Sequence, residues 1–370
     1  MPDESGPITR YASPLGLPLI DGYVHIDNLN EPVEELMEHL KSVGVTRWVF
    51  LESIFCGRLG LNTQNPIGLW LKHRFPDTVY FFASADHKIL PRGPDLAQPD
   101  QMPLDEMVRT YSRLGVDGWK SVIGKPDRYA LPLDAPKLES LYAELEIQRL
   151  PLFLHAGDPI EFWDPKAIPE WALEEWAYDS SRPSLEELRR QAEIILSRHP
   201  RLVVIFAHFF FMGNELDRAA SLMERYPGVH LDLTPGIEMF FGFSAERKRA
   251  KEFLVSYANR IHVGSYGSFS RSPVSVISMI RRFLETDDVF DPPHEDPYMW
   301  PDRRAPLRGL KLPEETLEQI YSKGFERLLG EKPRRLNEHA AVEELTREKM
   351  LNEPGALAEA ILARWWGDPC

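Results

Sequence analysis

The chain has 370 residues, of which 43% are hydrophobic, so it is long enough for one large domain with a substantial core. Its formal net charge of −14 and sequence pI of about 5.3 argue against nucleic acid or an anionic membrane as the main partner. The two cysteines lie far apart, the first residues are polar, and no run approaches the roughly 18 apolar residues of a membrane span. We therefore expect a cytoplasmic protein with a small-molecule substrate.

Eight short apolar segments along the chain predict β-strands. Several are rich in Val, Ile and Phe without strict polar alternation, which is typical of strands buried on both faces. The predicted strands are Leu17–Ile26, Arg47–Glu52, Val79–Ala85, Gly118–Val122, Pro151–Ala156, Leu202–His208, Val229–Thr234 and Arg260–Gly264.

Segments with helical spacing lie between and after these strands. Pro32 and Pro313 stand where a first helical turn would begin, and Ser184 with Glu187 forms a capping-box pattern. The predicted helices are Val33–Ser42, Pro66–His73, Leu104–Arg113, Ala135–Gln148, Ser184–Arg198, Glu215–Arg225, Glu246–Tyr257 and Pro313–Leu329.

The alternation of strands and helices predicts an α/β fold, a (β/α)8 TIM barrel over residues 17–333. An N-terminal arm (1–16) precedes it, and a charged helical extension (334–370) follows it and could pack on the barrel or serve a homo-oligomer, which we expect. An open doubly wound sheet is the alternative, but no GxGxxG or GxxxxGK[ST] motif supports a nucleotide-binding sheet.

Two long excursions, residues 158–183 and 287–310, are rich in aromatic residues and proline. Long loops of this kind in a compact domain are usually lids or binding loops, so we expect them over the mouth of the barrel. Trp163 in the first excursion is a candidate substrate contact.

Three histidines close predicted strands: His25 in DGYVH, His155 in PLFLH and His208 in VVIFAH. Parallel strand ends converge on one mouth, so these side chains could meet around one metal ion or one substrate. Tyr23 shares a strand face with His25. Asp158 could accept the second N–H of His155, as carboxylates often do for working histidines.

Other polar residues near the strand ends are candidates for catalysis or binding. Lys120, inside an apolar strand, could be a base, a Schiff-base former, a carbamylated ligand or simply one half of an ion pair. Tyr266 could donate a hydrogen bond to a substrate oxygen, but its ordinary pKa of about 10 excludes it as a base near neutral pH. Two further residues, Arg58 and Phe210, are candidate substrate contacts. Asp232 and Glu238 are candidate ion-pair partners of Lys120 or substrate contacts.

The combination of His-Ala-Gly-Asp-Pro with Phe-Trp-Asp-Pro, Phe-Ala-His-Phe-Phe-Phe and Asp-Leu-Thr-Pro-Gly resembles the amidohydrolase superfamily, in its branch of amidohydrolase-related TIM-barrel metal-dependent hydrolases. The resemblance runs from about Leu19 to about Pro333. It implies a TIM barrel and one divalent metal ion, zinc first among the choices, held by His25, His155 and His208.

The resemblance also shows where this chain departs from the family. Tyr23 stands where the first histidine of the family's His-x-His is expected, and Tyr266 where the strand-eight aspartate is expected. Ile123 stands where close relatives carry a glutamate. These departures fall at one site, which indicates a site that has been rebuilt or disabled.

Three functions follow as hypotheses. The first is an amidohydrolase-like hydrolase, or a related nonoxidative decarboxylase or lyase, that acts on a small carboxylated or cyclic substrate with a metal. The second is a metal-independent enzyme that uses Tyr23, Lys120, Asp158, Tyr266 and the histidines as acid/base groups. The third is a catalytically inactive, ligand-binding relative.

Overall fold

A computed structural model of the chain describes residues 11–26, 30–53, 63–85, 102–128, 131–236, 239–268, 272–293, 305–350 and 355–367. Eight parallel strands follow one another around a single sheet in sequence order, which confirms the predicted (β/α)8 barrel. They are β1 Leu19–Val24, β2 Val45–Phe50, β3 Val79–Ser84, β4 Gly118–Gly124, β5 Leu152–Ala156, β6 Val204–Phe206, β7 Val229–Asp232 and β8 Ile261–His262.

The ring closes between the chain around β8 and β1. The backbone N–H groups of Gly22 and His25 donate to the carbonyl oxygens of Val263 and Gly267 at 2.7 and 2.9 Å. Glycine is needed at position 22, because a Cβ there would lie 2.5 Å from the ring of Phe325 and 2.9 Å from the Val263 oxygen. The first strand therefore passes directly over a phenyl ring inside the barrel.

Helices surround the strands and follow them in the expected alternation. They are α1 Val33–Ser42, α2 Asn65–Arg74, α3 Leu104–Leu114, α4 Glu139–Gln148, α5 Leu173–Trp176, α6 Leu185–Arg198, α7 Leu216–Arg225, α8 Met239–Ala245, α9 Arg247–Ser256, α10 Pro273–Glu285, α11 Glu314–Glu318, α12 Gly324–Leu329, α13 Glu338–Met350 and α14 Gly355–Gly367.

Helix α10 was not predicted from the sequence. Nearly all of its side chains are buried, including Ser275 and Ser278 as well as the apolar residues. Its apolar residues nevertheless recur with helical spacing, as those of α1 do, so the sequence carries a signal for this helix. The predicted helix Pro313–Leu329 is present as α11 and α12, joined by one π-helical turn over Gln319–Lys323.

The C-terminal extension packs on the outside of the barrel, against α2 and α3. Tyr111 on α3 donates to Glu348 on α13 at 2.7 Å. The ring of His73 on α2 stacks on Trp365 of α14 with centroids 4.2 Å apart. In the described residues the extension thus lies against the barrel wall. No helix among them is both long and apolar enough to cross a membrane.

Candidate active site at the carboxyl end of the barrel

Six side chains from five places in the barrel converge where the strands end, and we call them the mouth cluster: Tyr23, His25, Lys120, His155, His208 and Tyr266. The ring of Tyr23 lies 5.1 Å from His25, 5.6 Å from His208 and 5.0 Å from Tyr266. The rings of His155 and His208 are 4.9 Å apart. All six are at most 8% exposed, so the structure brings together three predicted metal ligands and three of the four predicted catalytic residues.

The tautomers of two histidines follow from carbonyl oxygens beside them. Nδ1 of His25 donates to the Leu51 oxygen at 2.7 Å, and Nδ1 of His208 donates to the Thr234 oxygen at 3.3 Å. Each ring therefore carries its lone pair on Nε2 when neutral. Burial lowers the pKa of His208 well below its usual value, and His155 and Lys120 nearby lower it further.

His155 differs from the other two histidines. Neither of its ring nitrogens has a hydrogen-bond partner among the described residues, although the side chain is only 3% exposed. Burial lowers its pKa well below the usual value, followed by the positive charges of Lys125 and Lys120. A buried polar ring without partners is uncommon in folded proteins and points to a ligand that completes it.

The chain after β6 turns through a left-handed backbone. His208, Phe209, Phe210 and Phe211 all have φ between 52° and 58°, a region that costs roughly 1–2 kcal/mol per residue for side chains larger than glycine. The carboxylate of Asp232 helps to hold this turn, because it accepts from the His208 N–H at 2.6 Å. Strain of this kind concentrates at functional sites, where the surroundings fix the geometry.

Tyr266 is held in place from the first strand. It also has a positive φ of 56°. The neighbouring Ser265 donates to both oxygens of Asp21, from its N–H at 2.9 Å and its hydroxyl at 2.6 Å. The same carboxylate accepts from the Tyr23 N–H at 3.1 Å. Asp21 therefore fixes both tyrosines that depart from the family pattern, and burial raises its pKa to about 6.

Lys120 lies against the rings of Tyr23 and Phe153. Its Nζ donates to the Tyr23 hydroxyl oxygen at 3.1 Å and lies 4.5 and 4.7 Å from the ring centroids of Tyr23 and Phe153. Burial lowers its pKa to about 7, although the charges of Asp232 and Glu52 act in the opposite direction. Burial likewise raises the pKa of Asp232 to about 7.

Asp158 does not hydrogen-bond His155 as predicted. Its Oδ1 lies 3.6 Å from Nε2 of His155, beyond hydrogen-bond distance. Its Oδ2 instead accepts from Lys125 at 2.7 Å and from the Tyr178 hydroxyl at 2.6 Å. Because Tyr178 belongs to the first aromatic excursion, this carboxylate ties that excursion to the end of β4.

The predicted substrate contacts have different outcomes. Trp163 packs beside Tyr178 with ring centroids 4.9 Å apart, within the small aromatic core of the first excursion. Phe210 stacks on Phe206 at 4.0 Å and packs in the outer core, away from the mouth cluster. Arg58 and Glu238 lie outside the described residues.

Sequence reasoning missed several residues of the site. Phe211, rather than Phe210, contacts the histidines, with centroids 6.1 Å from His155 and 5.6 Å from His208. Alternation of side chains along a strand could not assign this, because the backbone turns left-handed there. Asp21 and Lys125 carried the same signal that identified Lys120, a charge in or beside an apolar strand.

The donors in the mouth cluster only partly suit a metal ion. Neutral imidazoles are the right ligands for zinc, and burial favours the neutral form of His155 and His208. However, no three His, Cys, Asp or Glu side chains within the described ranges are arranged as a metal-binding group. The three-histidine centre therefore stays a prediction, and the residues as arranged do not complete a metal site.

The fold is shared with many solved structures. An uncharacterised TIM-barrel protein from Bordetella bronchiseptica aligns over 85% of this chain and 99% of its own, with 14% identity and a TM-score of 0.52. A 2,6-dihydroxybenzoate decarboxylase from Rhizobium aligns over 85% and 98%, with 14% identity and a TM-score of 0.51. A 5-carboxyvanillate decarboxylase from Sphingomonas paucimobilis aligns over 85% and 99%, with 12% identity and a TM-score of 0.50.

These identities are low, so the structural similarities establish the barrel alone. A search of curated protein sequences gave no match. A sequence profile of the amidohydrolase family, in contrast, matches residues 77–330, which is more than half of the chain and includes Lys120, His155, His208 and Tyr266. The chain therefore belongs to the amidohydrolase family.

Proposed function

We propose that this protein hydrolyses or nonoxidatively decarboxylates a small carboxylated substrate at the mouth cluster. Membership of the amidohydrolase family supports an enzyme of this general kind. Two of the solved relatives are named for the decarboxylation of carboxylated phenols, which is why decarboxylation stands beside hydrolysis in the proposal.

The observation that carries the proposal is the pair formed by His155 and Lys120. Among the described residues, His155 has no hydrogen-bond partner and Lys120 has no carboxylate partner, although both are almost fully buried. Such groups destabilise a folded protein unless a ligand satisfies them. A substrate carboxylate is a suitable ligand, because it can accept from a protonated lysine and from an imidazole N–H.

The chain's own groups can also move protons in this site. The pKa of Lys120, about 7, is close to the ideal value for acid/base catalysis near neutral pH. Its hydrogen bond to Tyr23 offers a path between amine and phenol. Burial and the two nearby lysines keep His155 neutral, so it can donate a hydrogen bond to a substrate but is a weak base. In the family, an aspartate at the position of Tyr266 would transfer protons. Here Lys120 and Tyr23 would do so.

Amidohydrolases generally bind a divalent metal, and we propose zinc as the ion to test in this protein. It would be held by His25, His155 and His208 and would polarise a carbonyl or activate water when bound. Since the described residues do not form a complete metal-binding group, we assign the proton transfers to Lys120 and Tyr23 instead.

Turnover by the full chain tests this proposal. We would follow carbon dioxide release and ring opening for a panel of aromatic carboxylates and carboxylated lactones, with the protein as purified, after chelation, and after zinc is added back. We expect turnover of at least one compound, and a loss of about 100-fold or more in His155→Ala. No turnover in any of the three states would contradict the proposal. Activity that disappears on chelation and returns with zinc would show that the metal, and not the chain's own groups, carries the reaction.

A further inference from the structure

We propose that Lys120 is a nucleophile that forms a Schiff base with the ketone of a β-keto acid, which then loses carbon dioxide. This inference rests on the proposed function and narrows its substrate class. It starts from a comparison of the three lysines that the described part of the chain buries almost completely, Lys72, Lys120 and Lys125.

Two of these lysines are neutralised by carboxylates. Lys72 forms an ion pair with Asp117 in which neither side chain is exposed. Lys125 lies 2.7 Å from Asp158 and 3.2 Å from Asp127. Both amines are in ion pairs with carboxylates that contact them, so neither is available as a nucleophile.

Lys120 has different surroundings. Within the described residues its polar contact is the Tyr23 hydroxyl at 3.1 Å, and two aromatic rings enclose its Nζ. An amine desolvated by apolar neighbours loses its proton readily and becomes nucleophilic at neutral pH, which is how Schiff-base lysines are activated. Its lowered pKa, about 7, agrees with these contacts.

A narrow cavity of about 10 Å³, which has room for about one water molecule, reaches the same side chain. It is lined by Lys120, Glu52, Ser84 and Ile123, where β2, β3 and β4 end. Ile123 is the apolar residue at the position where a glutamate was expected. Its side chain leaves Glu52 as the carboxylate among the residues that line the cavity, and burial outweighs the effect of Glu52 and Asp232 on the pKa of Lys120.

The reaction balances without an oxidant or a further reactant. The lone pair of neutral Lys120 Nζ forms a bond to the ketone carbon, and the carbonyl oxygen takes up protons and leaves as water, giving an iminium ion. The bond to the carboxylate carbon then breaks, its electron pair forms the enamine, and carbon dioxide leaves. Protonation of the enamine carbon and hydrolysis by water release the ketone and restore the amine.

Tyr23 is placed to serve this reaction. Its hydroxyl is in hydrogen-bond contact with Nζ, so it can deliver a proton to the departing oxygen and later to the enamine carbon. A histidine at position 23 could hold a metal ion, whereas a phenol next to an amine suits proton transfer. The proposed reaction therefore gives a chemical reason for a tyrosine at position 23, where the family has a histidine.

Two probes test the inference on the full-length protein. The first is 2,4-pentanedione, a diketone without a carboxylate, which forms a stable enaminone with an activated lysine and adds a near-ultraviolet absorption band. The second is acetoacetate with sodium borohydride, which reduces an imine to a permanent secondary amine. Intact-mass measurement and peptide mapping locate either adduct, with Lys125 and the surface lysines of the same chain as internal controls.

We expect about one adduct per chain on Lys120 with each probe, none on Lys125, and carbon dioxide release from acetoacetate. Lys120→Arg, which keeps the charge, should lose the adduct, and Tyr23→Phe should form it about 100-fold more slowly. If the arginine variant fails to fold, protection of wild-type Lys120 from the diketone by acetoacetate gives the same information.

Failure of this inference and failure of the proposed function give different experimental results. No diketone adduct on Lys120 would overturn the nucleophile, while turnover of the carboxylate panel would still decide the proposed function. A diketone adduct on Lys120 without trapping or decarboxylation of acetoacetate would overturn the assignment of β-keto acids as the substrate class.

Discussion

Each end of this barrel buries a lysine, and the two lysines have opposite surroundings. At the amino end of the strands, Lys72 is paired with Asp117, whose oxygens also accept from the N–H groups of Phe81 and Arg334 at 2.8 and 2.7 Å. At the carboxyl end, Lys120 has the phenol of Tyr23 and the ring of Phe153 for neighbours. The first arrangement satisfies every group it buries, and the second leaves an amine available for a ligand.

Other polar groups at this end bond within the protein, although Nδ1 of the buried His262 has no hydrogen-bond partner among the described residues. Nδ1 of His230 lies 2.8 Å from Nε2 of His262, which stacks on Phe325 with centroids 4.0 Å apart. Tyr80 donates to the Gly330 oxygen at 2.8 Å, and Arg47 is paired with Glu326. Polar groups at this end connect the C-terminal part of the barrel to its floor. In TIM barrels, residues at the amino end of the strands usually serve stability, and residues at the carboxyl end serve catalysis.

The same substitution at the two lysines should separate stability from function. We expect Lys72→Met to lower the free energy of unfolding by about 3–5 kcal/mol, because it leaves the Asp117 carboxylate buried without its cation. Lys120→Met is the matched control and should be as stable as the wild type or more stable at pH 7, since it removes a cation without a carboxylate partner. Urea denaturation followed by circular dichroism measures both. Equal losses in the two variants would contradict the contrast between the ends.

The pH dependence of stability sharpens the contrast at Lys120. Burial lowers its pKa from 10.5 to about 7 in the folded chain. Between these values the unfolded chain binds a proton that the folded chain does not, so this residue makes stability fall as pH falls from 10.5 towards 7. Below pH 7 its effect is constant.

Lys120→Met should remove that slope. The difference in unfolding free energy between variant and wild type should change by on the order of 4 kcal/mol between pH 7 and pH 10. The double difference cancels the other groups that titrate in this range. A difference that stays constant with pH would show that Lys120 is protonated normally in the folded protein.

The fold was predictable because its signals are local. Strands buried on both faces and amphipathic helices such as α3 and α7 each carry their pattern within about ten residues. Helix α10 carries a pattern of the same kind, so it too could have been predicted although it was missed. The end of β6 lies two residues before that predicted, because the chain leaves the sheet there in a left-handed turn that apolar composition does not reveal.

The sequence was enough to predict which residues form the site, but not which hydrogen bonds and contacts they make. Position at a strand end was enough to bring His25, His155 and His208 to one place. The partner of Asp158 was not predictable, because the choice between His155 and the pair Lys125 and Tyr178 depends on how residues 158–183 fold back. Left-handed backbone at His208 also placed Phe211 in the site where Phe210 was expected.

We expect the smallest effect from removing the hydrogen bond between Tyr178 and Asp158. Tyr178→Phe removes the hydroxyl's bond to Asp158, together with the long 3.4 Å bond that it accepts from Lys125, and leaves the contact between Lys125 and Asp158 in place. Global stability should therefore change by about 1 kcal/mol. Amide hydrogen exchange within residues 158–183 should become about fivefold faster, since local opening there loses that bond. Tyr257→Phe is the control, because its hydroxyl also bonds a carboxylate, Glu224 at 3.0 Å, but on the outer surface. If Tyr178→Phe leaves exchange in this segment unchanged, the excursion is held by its own aromatic core, around Phe162 and Trp176, and not by its tie to the site.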